Sequence, residues 1–167
     1  FFSHENMLPL YKGQEELSAF FSRLKSHIGL EMDYQTFKSC WIDILTGYVE
    51  GIIPLCETLK SYYRLVILSN TDSVHYSYVE KHFPYVNTFS GRYLSYELGM
   101  AKPEPEIYKA VLESEKVSPE EAVFIDDTTE NVKSAEQIGI MGIVFNNAYQ
   151  LRRLSLIHIS EPTRPRL

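Results

Sequence analysis

Two adjacent acids, Asp126-Asp127, close a short apolar run, Ala122-Val123-Phe124-Ile125. Two unit charges about 4 Å apart repel by roughly 4 kcal/mol at an effective dielectric of 20, so such a pair calls for a shared proton or a cation. A hard divalent ion such as Mg²⁺ suits it, because Mg²⁺ keeps several waters and takes only one or two carboxylates plus phosphate oxygens. A second apolar run, Leu65-Val66-Ile67-Leu68, ends in Ser69-Asn70-Thr71-Asp72. There the Ser69 hydroxyl and the Asn70 backbone N–H are candidate anion donors. Between the two runs, Lys102 stands in Gly99-Met100-Ala101-Lys102-Pro103-Glu104-Pro105. Each proline biases the residue before it toward extended backbone, which holds Lys102 and Glu104 out of the next helix. An ammonium held on a stiff lead-in is a point charge suited to phosphate. The bland alternatives are an N-cap at 126–127, a surface lysine and an ordinary polar turn at 69–72.

Positioning these groups requires elements that end at the same place. Apolar runs without alternation read as strands buried on both faces. Strands are expected at 65–68, 122–125 and 143–145, with a weaker one near 92–94. Helices are expected over 55–62, 74–82, 105–114 and 130–138, and Ser118-Pro119-Glu120-Glu121 has the capping-box pattern. Strands alternating with helices imply a parallel sheet covered on both faces, a three-layer Rossmann-like α/β fold. Ligands then gather beyond the carboxyl ends of the strands, where both polar clusters fall. Upstream, residues 15–28 carry Leu17, Phe20, Phe21, Leu24 and Ile28 at helical spacing, with Gly29 as a stop. Residues 34–48 repeat the stripe with Phe37, Trp41, Ile44, Leu45 and Tyr48 behind a candidate N-cap, Asp33. These two helices form a small α-helical segment.

The 167 residues suit one domain with a small appendage. Apolar residues make up 44% and charged residues 23%, which excludes a mainly disordered chain. A net charge of −6 gives no basic footprint, so nucleic acid is not an expected partner. No apolar run approaches the roughly 18 residues of a membrane span. Cys40 and Cys56 lack metal-site spacing and read as reduced, space-filling thiols of a cytoplasmic protein. The expected organisation is a remnant of an upstream segment (1–11), a small α-helical segment (12–50), an α/β core (51–150) and a non-native tail (151–167). Within the tail, LSLIHISEPTR resembles translated read-through of a sequencing-library adapter.

Three stretches in order, VILSNT (66–71), GMAKPEPEIY (99–108) and VFIDDTTEN (123–131), resemble the second, third and fourth motifs of the haloacid dehalogenase-like (HAD) hydrolases. The resemblance covers about 12–146 and includes the two-helix segment, which looks like the family's helical cap. It implies that Ser69 and the Asn70 backbone hold a phosphoryl oxygen and that Lys102 neutralises phosphate and nucleophile charge. It also implies that Asp127 ligates Mg²⁺ with Asp126 beside it, while Asn131 steadies the loop. His75 matches a frequent family position but reads as structural. The implied activity is Mg²⁺-dependent hydrolysis of a small phosphorylated metabolite through an aspartyl-phosphate, by a monomer or homodimer. The family's first motif, a strand ending in DxD that carries the nucleophile, has no counterpart upstream of Lys12. The chain is therefore expected to be an inactive fragment lacking the first, central strand. Metal-free dehalogenation, a response-regulator receiver and a non-catalytic HAD-like binding protein are the alternatives. The order hydroxyl, lysine, acids argues against a receiver, and the paired acids argue against a dehalogenase.

Overall fold

A computed structural model describes residues 3–160, with side-chain environments through 154. Four helices come first: α1 (His4–Tyr11), α2 (Leu17–Ile28), α3 (Tyr34–Ile42) and α4 (Ile52–Lys60). Then follow β1 (Val66–Ser69), α5 (Ser73–His82), a 3₁₀ turn (Pro84–Thr88), β2 (Gly91–Leu94), α6 (Ser95–Leu98) and α7 (Pro105–Glu115). A second 3₁₀ turn (Pro119–Glu121), β3 (Val123–Asp126), α8 (Thr129–Gln137), β4 (Met141–Val144) and α9 (Ala148–Ser160) complete the order.

The helical segment forms as its stripe dictates. Leu17, Phe20, Phe21 and Leu24 of α2 bury against Phe37 and Trp41 of α3. The Asp33 carboxylate caps α3 by accepting from the Thr36 N–H at 2.8 Å, and Gly29 ends α2 at φ +66°. Within residues 1–11, α1 adds Met7 and Leu10 to the same core. The α3 stripe stops early. Ile44 is exposed, and Tyr48 leaves the helical core to meet Phe83 and Tyr85 edge-on. Cys40 is likewise exposed rather than space-filling. At the other end the backbone of 154–160 continues α9, whose first turns are fixed by Ala148 and Leu151 against Leu55 and Leu59. The remainder of the expected tail, 161–167, lies outside the described residues.

The α/β reading holds, with parallel strands between helices, but the sheet is divided. Among the described residues β1 pairs only with β2, and β3 only with β4, both in parallel register. The two pairs share helical cover. Leu68 of β1 and Phe124 of β3 pack on one cluster built by Ile107, Tyr108, Leu112 and Ala135. On the other side Leu65, Ile143 and Phe145 pack against α4 and α9. The expectation that these strands are buried on both faces is corrected. β1 is half-buried throughout, and Val123 and Ile125 are exposed at 52% and 38%. The physical reason is that no backbone among the described residues lies along the second edge of β1 or β3.

Candidate active site

Carbonyls along a strand alternate in direction. The Leu65 carbonyl accepts from Ser90 on the β2 side, so the Leu68 carbonyl faces the unpaired edge of β1. Lys102 occupies that edge. Its Nζ donates to the Leu68 carbonyl at 3.2 Å and to Asp126 Oδ2 at 2.6 Å, so one ammonium joins the carboxyl ends of β1 and β3. The side chain is buried at 8% exposure, with Nζ 5.6 Å from the Phe124 ring centre.

The lysine is aimed by its backbone. The Asn70 side chain donates to the Lys102 carbonyl and accepts from the Lys102 N–H, both at 2.8 Å. The Lys102–Pro103 peptide is cis. Glu104 is extended ahead of α7, as the proline after it led one to expect. Glu104 pairs with Lys12 at 2.6 Å, which ties this loop to the turn after α1.

The polar turn after β1 divides its work residue by residue. Asn70 holds Lys102. The Thr71 backbone is held at both its N–H and its carbonyl by the buried Ser95 hydroxyl. Asp72 caps α5 through the Val74 and His75 N–H groups and accepts from the Trp41 indole at 3.0 Å. Ser69 is half-buried, and its hydroxyl has no hydrogen-bond partner among the described residues.

The acidic pair is also divided. Asp126 Oδ1 accepts from the Thr128 N–H at 2.8 Å and from the Asn131 amide at 3.0 Å, while Oδ2 takes Lys102. Burial pushes the Asp126 carboxyl up. The Lys102 hydrogen bond and charge outweigh burial, together with Thr128 and Asn131, so its pKa lies below the ordinary 3.8. Asn131 is buried, and its carbonyl accepts from the Tyr108 hydroxyl at 2.8 Å. Asp127 is exposed, and among the described residues its carboxylate meets only the Thr128 hydroxyl, at 3.4 Å. Among the described residues no group of three or more His, Cys, Asp or Glu side chains is arranged to hold a metal. Mg²⁺ needs fewer. The open Asp127 carboxylate fits it as a single hard ligand, whereas both Asp126 oxygens are committed to the protein.

Four of the six residues singled out from sequence thus lie within one connected network. Lys102 touches Leu68, Asp126 and, through its backbone, Asn70, and Asn131 supports Asp126. Ser69 and Asp127 are the next residues beyond its two anchor points. Sequence reasoning missed the side-chain role of Asn70 and the contacts of Asp72, Trp41, Ser95 and Glu104. Asp72 three residues before His75 at a helix start was the available signal for a cap.

A strand-end lysine between a hydroxyl turn and an acidic loop, under a helical segment, defines a class. The HAD-like hydrolase family model matches residues 12–139, and the chain belongs to that family. It is 26% identical over 136 residues to D-ribitol-5-phosphate phosphatase of Bacteroides thetaiotaomicron, covering 78% of this chain and 66% of the relative. It is 30% identical over 127 residues to chloroplast flavin mononucleotide hydrolase 1 of Arabidopsis thaliana, covering 75% of this chain and 51% of the relative. The chain therefore spans about half to two-thirds of the length of these two. Among solved structures, a HAD-family enzyme of B. thetaiotaomicron superposes with a TM-score of 0.81 at 31% identity, over 93% of this chain and 81% of that one. That structure is an aspartate-to-alanine mutant in complex with magnesium and inorganic phosphate. The Xanthobacter autotrophicus L-2-haloacid dehalogenase, at 18% identity and a TM-score of 0.65, shares the fold.

Proposed function

We propose that this site serves Mg²⁺-dependent hydrolysis of a small phosphomonoester. The observation that carries the reading is Lys102, whose ammonium bridges the Leu68 carbonyl and Asp126, the residues immediately before Ser69 and Asp127 in the chain. Phosphoryl transfer spreads charge over the phosphoryl oxygens, so catalysis is mostly positioning and electrostatic stabilisation. Lys102 supplies the fixed positive charge. Ser69 and the Asn70 N–H orient a phosphoryl oxygen. Asp127 would hold Mg²⁺, which when bound adds positive charge at the same phosphate. Asp126 keeps the ammonium placed, and Asn131 keeps Asp126 placed. The helical segment would limit water and select the substrate.

The reading assigns the attacking carboxylate to a DxD strand running between β1 and β3, outside the residues of this site. It accordingly expects no turnover from the 167-residue chain by itself. The test is aryl phosphate hydrolysis by the chain joined to such a strand from its own upstream reading frame. Turnover should need Mg²⁺ and should fall about 100-fold or more in both Lys102→Ala and Asp127→Ala. Turnover unchanged in either variant overturns these assignments.

A further inference from the structure

One cluster joins the helical segment to the turn after β1, and the reaction as proposed does not use it. Asp72, 2% exposed, places Oδ2 3.0 Å from both the Trp41 indole nitrogen and His75 Nδ1. His75 Nε2 lies 2.5 Å from the Trp41 backbone carbonyl. The His75 and Trp41 rings stack at 4.9 Å between centroids, with 15° between planes. Both imidazole nitrogens therefore face acceptors, a carboxylate on one side and a carbonyl on the other. A neutral imidazole has one N–H and can satisfy one of them, whereas an imidazolium donates to both. The charged group facing His75 is Asp72, from the cap of its own helix. From α3 it faces the Trp41 ring and carbonyl, and from α1 the Tyr11 phenol lies within the field of Asp72.

We propose that Trp41, Asp72 and His75 form a proton-dependent latch in which charged His75 holds α3 of the helical segment onto the Ser69–Asp72 turn. All three are positioning residues. Loss of the proton leaves the Nε2 lone pair against the Trp41 carbonyl, and that repulsion loosens α3 from the turn. Burial disfavours the His75 charge, but the Asp72 hydrogen bond, the Trp41 carbonyl and the Asp72 charge outweigh it, so the His75 pKa lies above 6.5. The effect on phosphate binding rests on the phosphatase reading. The latch itself does not.

Trp41 is the single tryptophan of the chain, so its emission reports on the latch. A stacked imidazolium quenches indole fluorescence. Emission from the full chain should rise with pH through an inflection above the ordinary histidine value of 6.5. His75→Gln should abolish the inflection, and Asp72→Asn should move it below that value. Should either variant fail to fold, the His75 Cε1–H resonance followed against pH in the wild-type chain decides the same point. An inflection at or below 6.5 in the wild type, or one that survives in His75→Gln, overturns the latch. Sulfate, whose charge is constant over this range, then probes the site through the Ser69 and Lys102 amide resonances. Its affinity should fall as pH passes the Trp41 inflection, and His75→Gln should lose that dependence. Sulfate that leaves both resonances unmoved sinks the site reading and leaves the latch standing. Sulfate that binds equally on both sides of the inflection sinks the positioning role.

Discussion

Removing the Asp126 carboxylate would leave the Lys102 ammonium buried against a carbonyl and an aromatic ring with no counter-charge. Breaking a buried pair from one side costs about 3–5 kcal/mol. Asp126→Ala should therefore lower the urea midpoint sharply. Asp127→Ala, at an exposed carboxylate with one long contact, should move stability by less than about 0.5 kcal/mol. Equal losses in the two variants would mean that the division between a holding acid and an open acid is misread. A carboxyl whose folded pKa is lowered contributes stability that is fully present above its unfolded value and is lost as pH falls through the folded one. The Asp126 contribution should thus persist at pH 5 and above and disappear below the ordinary 3.8, and the Asp126→Ala variant should show a flatter acid limb in equilibrium unfolding.

The helical segment is fastened to the α/β part at contacts far apart in sequence. Lys12 meets Glu104, Trp41 meets Asp72, and the turn after α1 presses on α6. In that turn Gly13 has φ +64°, and a Cβ there would come within 2.5 Å of the Tyr96 carbonyl oxygen. Both the backbone conformation and the space forbid a side chain. Gly13→Ala should destabilise the protein by more than the roughly 1 kcal/mol of a typical point substitution, read as a fall in melting temperature. A neutral result would show that the turn moves freely away from Tyr96. These fastenings also mark where sequence reading stopped. The α2 stripe, the Asp33 cap, the Gly29 stop and the start of α7 at Pro105 are set by neighbours within a turn or two, and all were legible. The order Ser69, Lys102, Asp126-Asp127 was legible because each group ends or precedes an element. The indole of Trp41 reaching Asp72 across 31 residues, and Asn70 gripping Lys102 across 32, depend on how elements dock, and no local pattern carries that. The premature end of α3 belongs to the same class, since Ile44 is apolar at the right spacing but has nothing to cover it.

Across the whole molecule, two pairs of parallel strands are held side by side by helices and by one lysine rather than by a continuous hydrogen-bonded sheet. The Leu65 carbonyl points at β2, so those of Val66 and Leu68 point the other way. The Ala122 and Asp126 carbonyls accept from Met141 and Phe145 on the β4 side, so those of Val123 and Ile125 point away from β4. Of these four outward carbonyls, Leu68 is the one that Lys102 engages. Exposed strand edges of this kind are templates for pairing, and two-stranded sheets are marginal alone. Backbone amides open according to how much packing and hydrogen bonding must be lost, so protection should be uneven. In hydrogen–deuterium exchange on the 167-residue chain, α2, which buries Phe20 and Leu24, and α7, which buries Ile107 and Tyr108, should exchange slowly. β1 and β3 should exchange much faster, despite sequences as apolar as any in the chain. Joining the upstream strand assigned to the proposed nucleophile should bring both to the level of α7 at once, since one inserted strand would satisfy both edges. Slow exchange of β1 and β3 in the 167-residue chain would mean that these edges are already paired, by a second copy or by closure of the two sheets onto each other. Sedimentation at two concentrations separates those outcomes, because only pairing between copies depends on dilution.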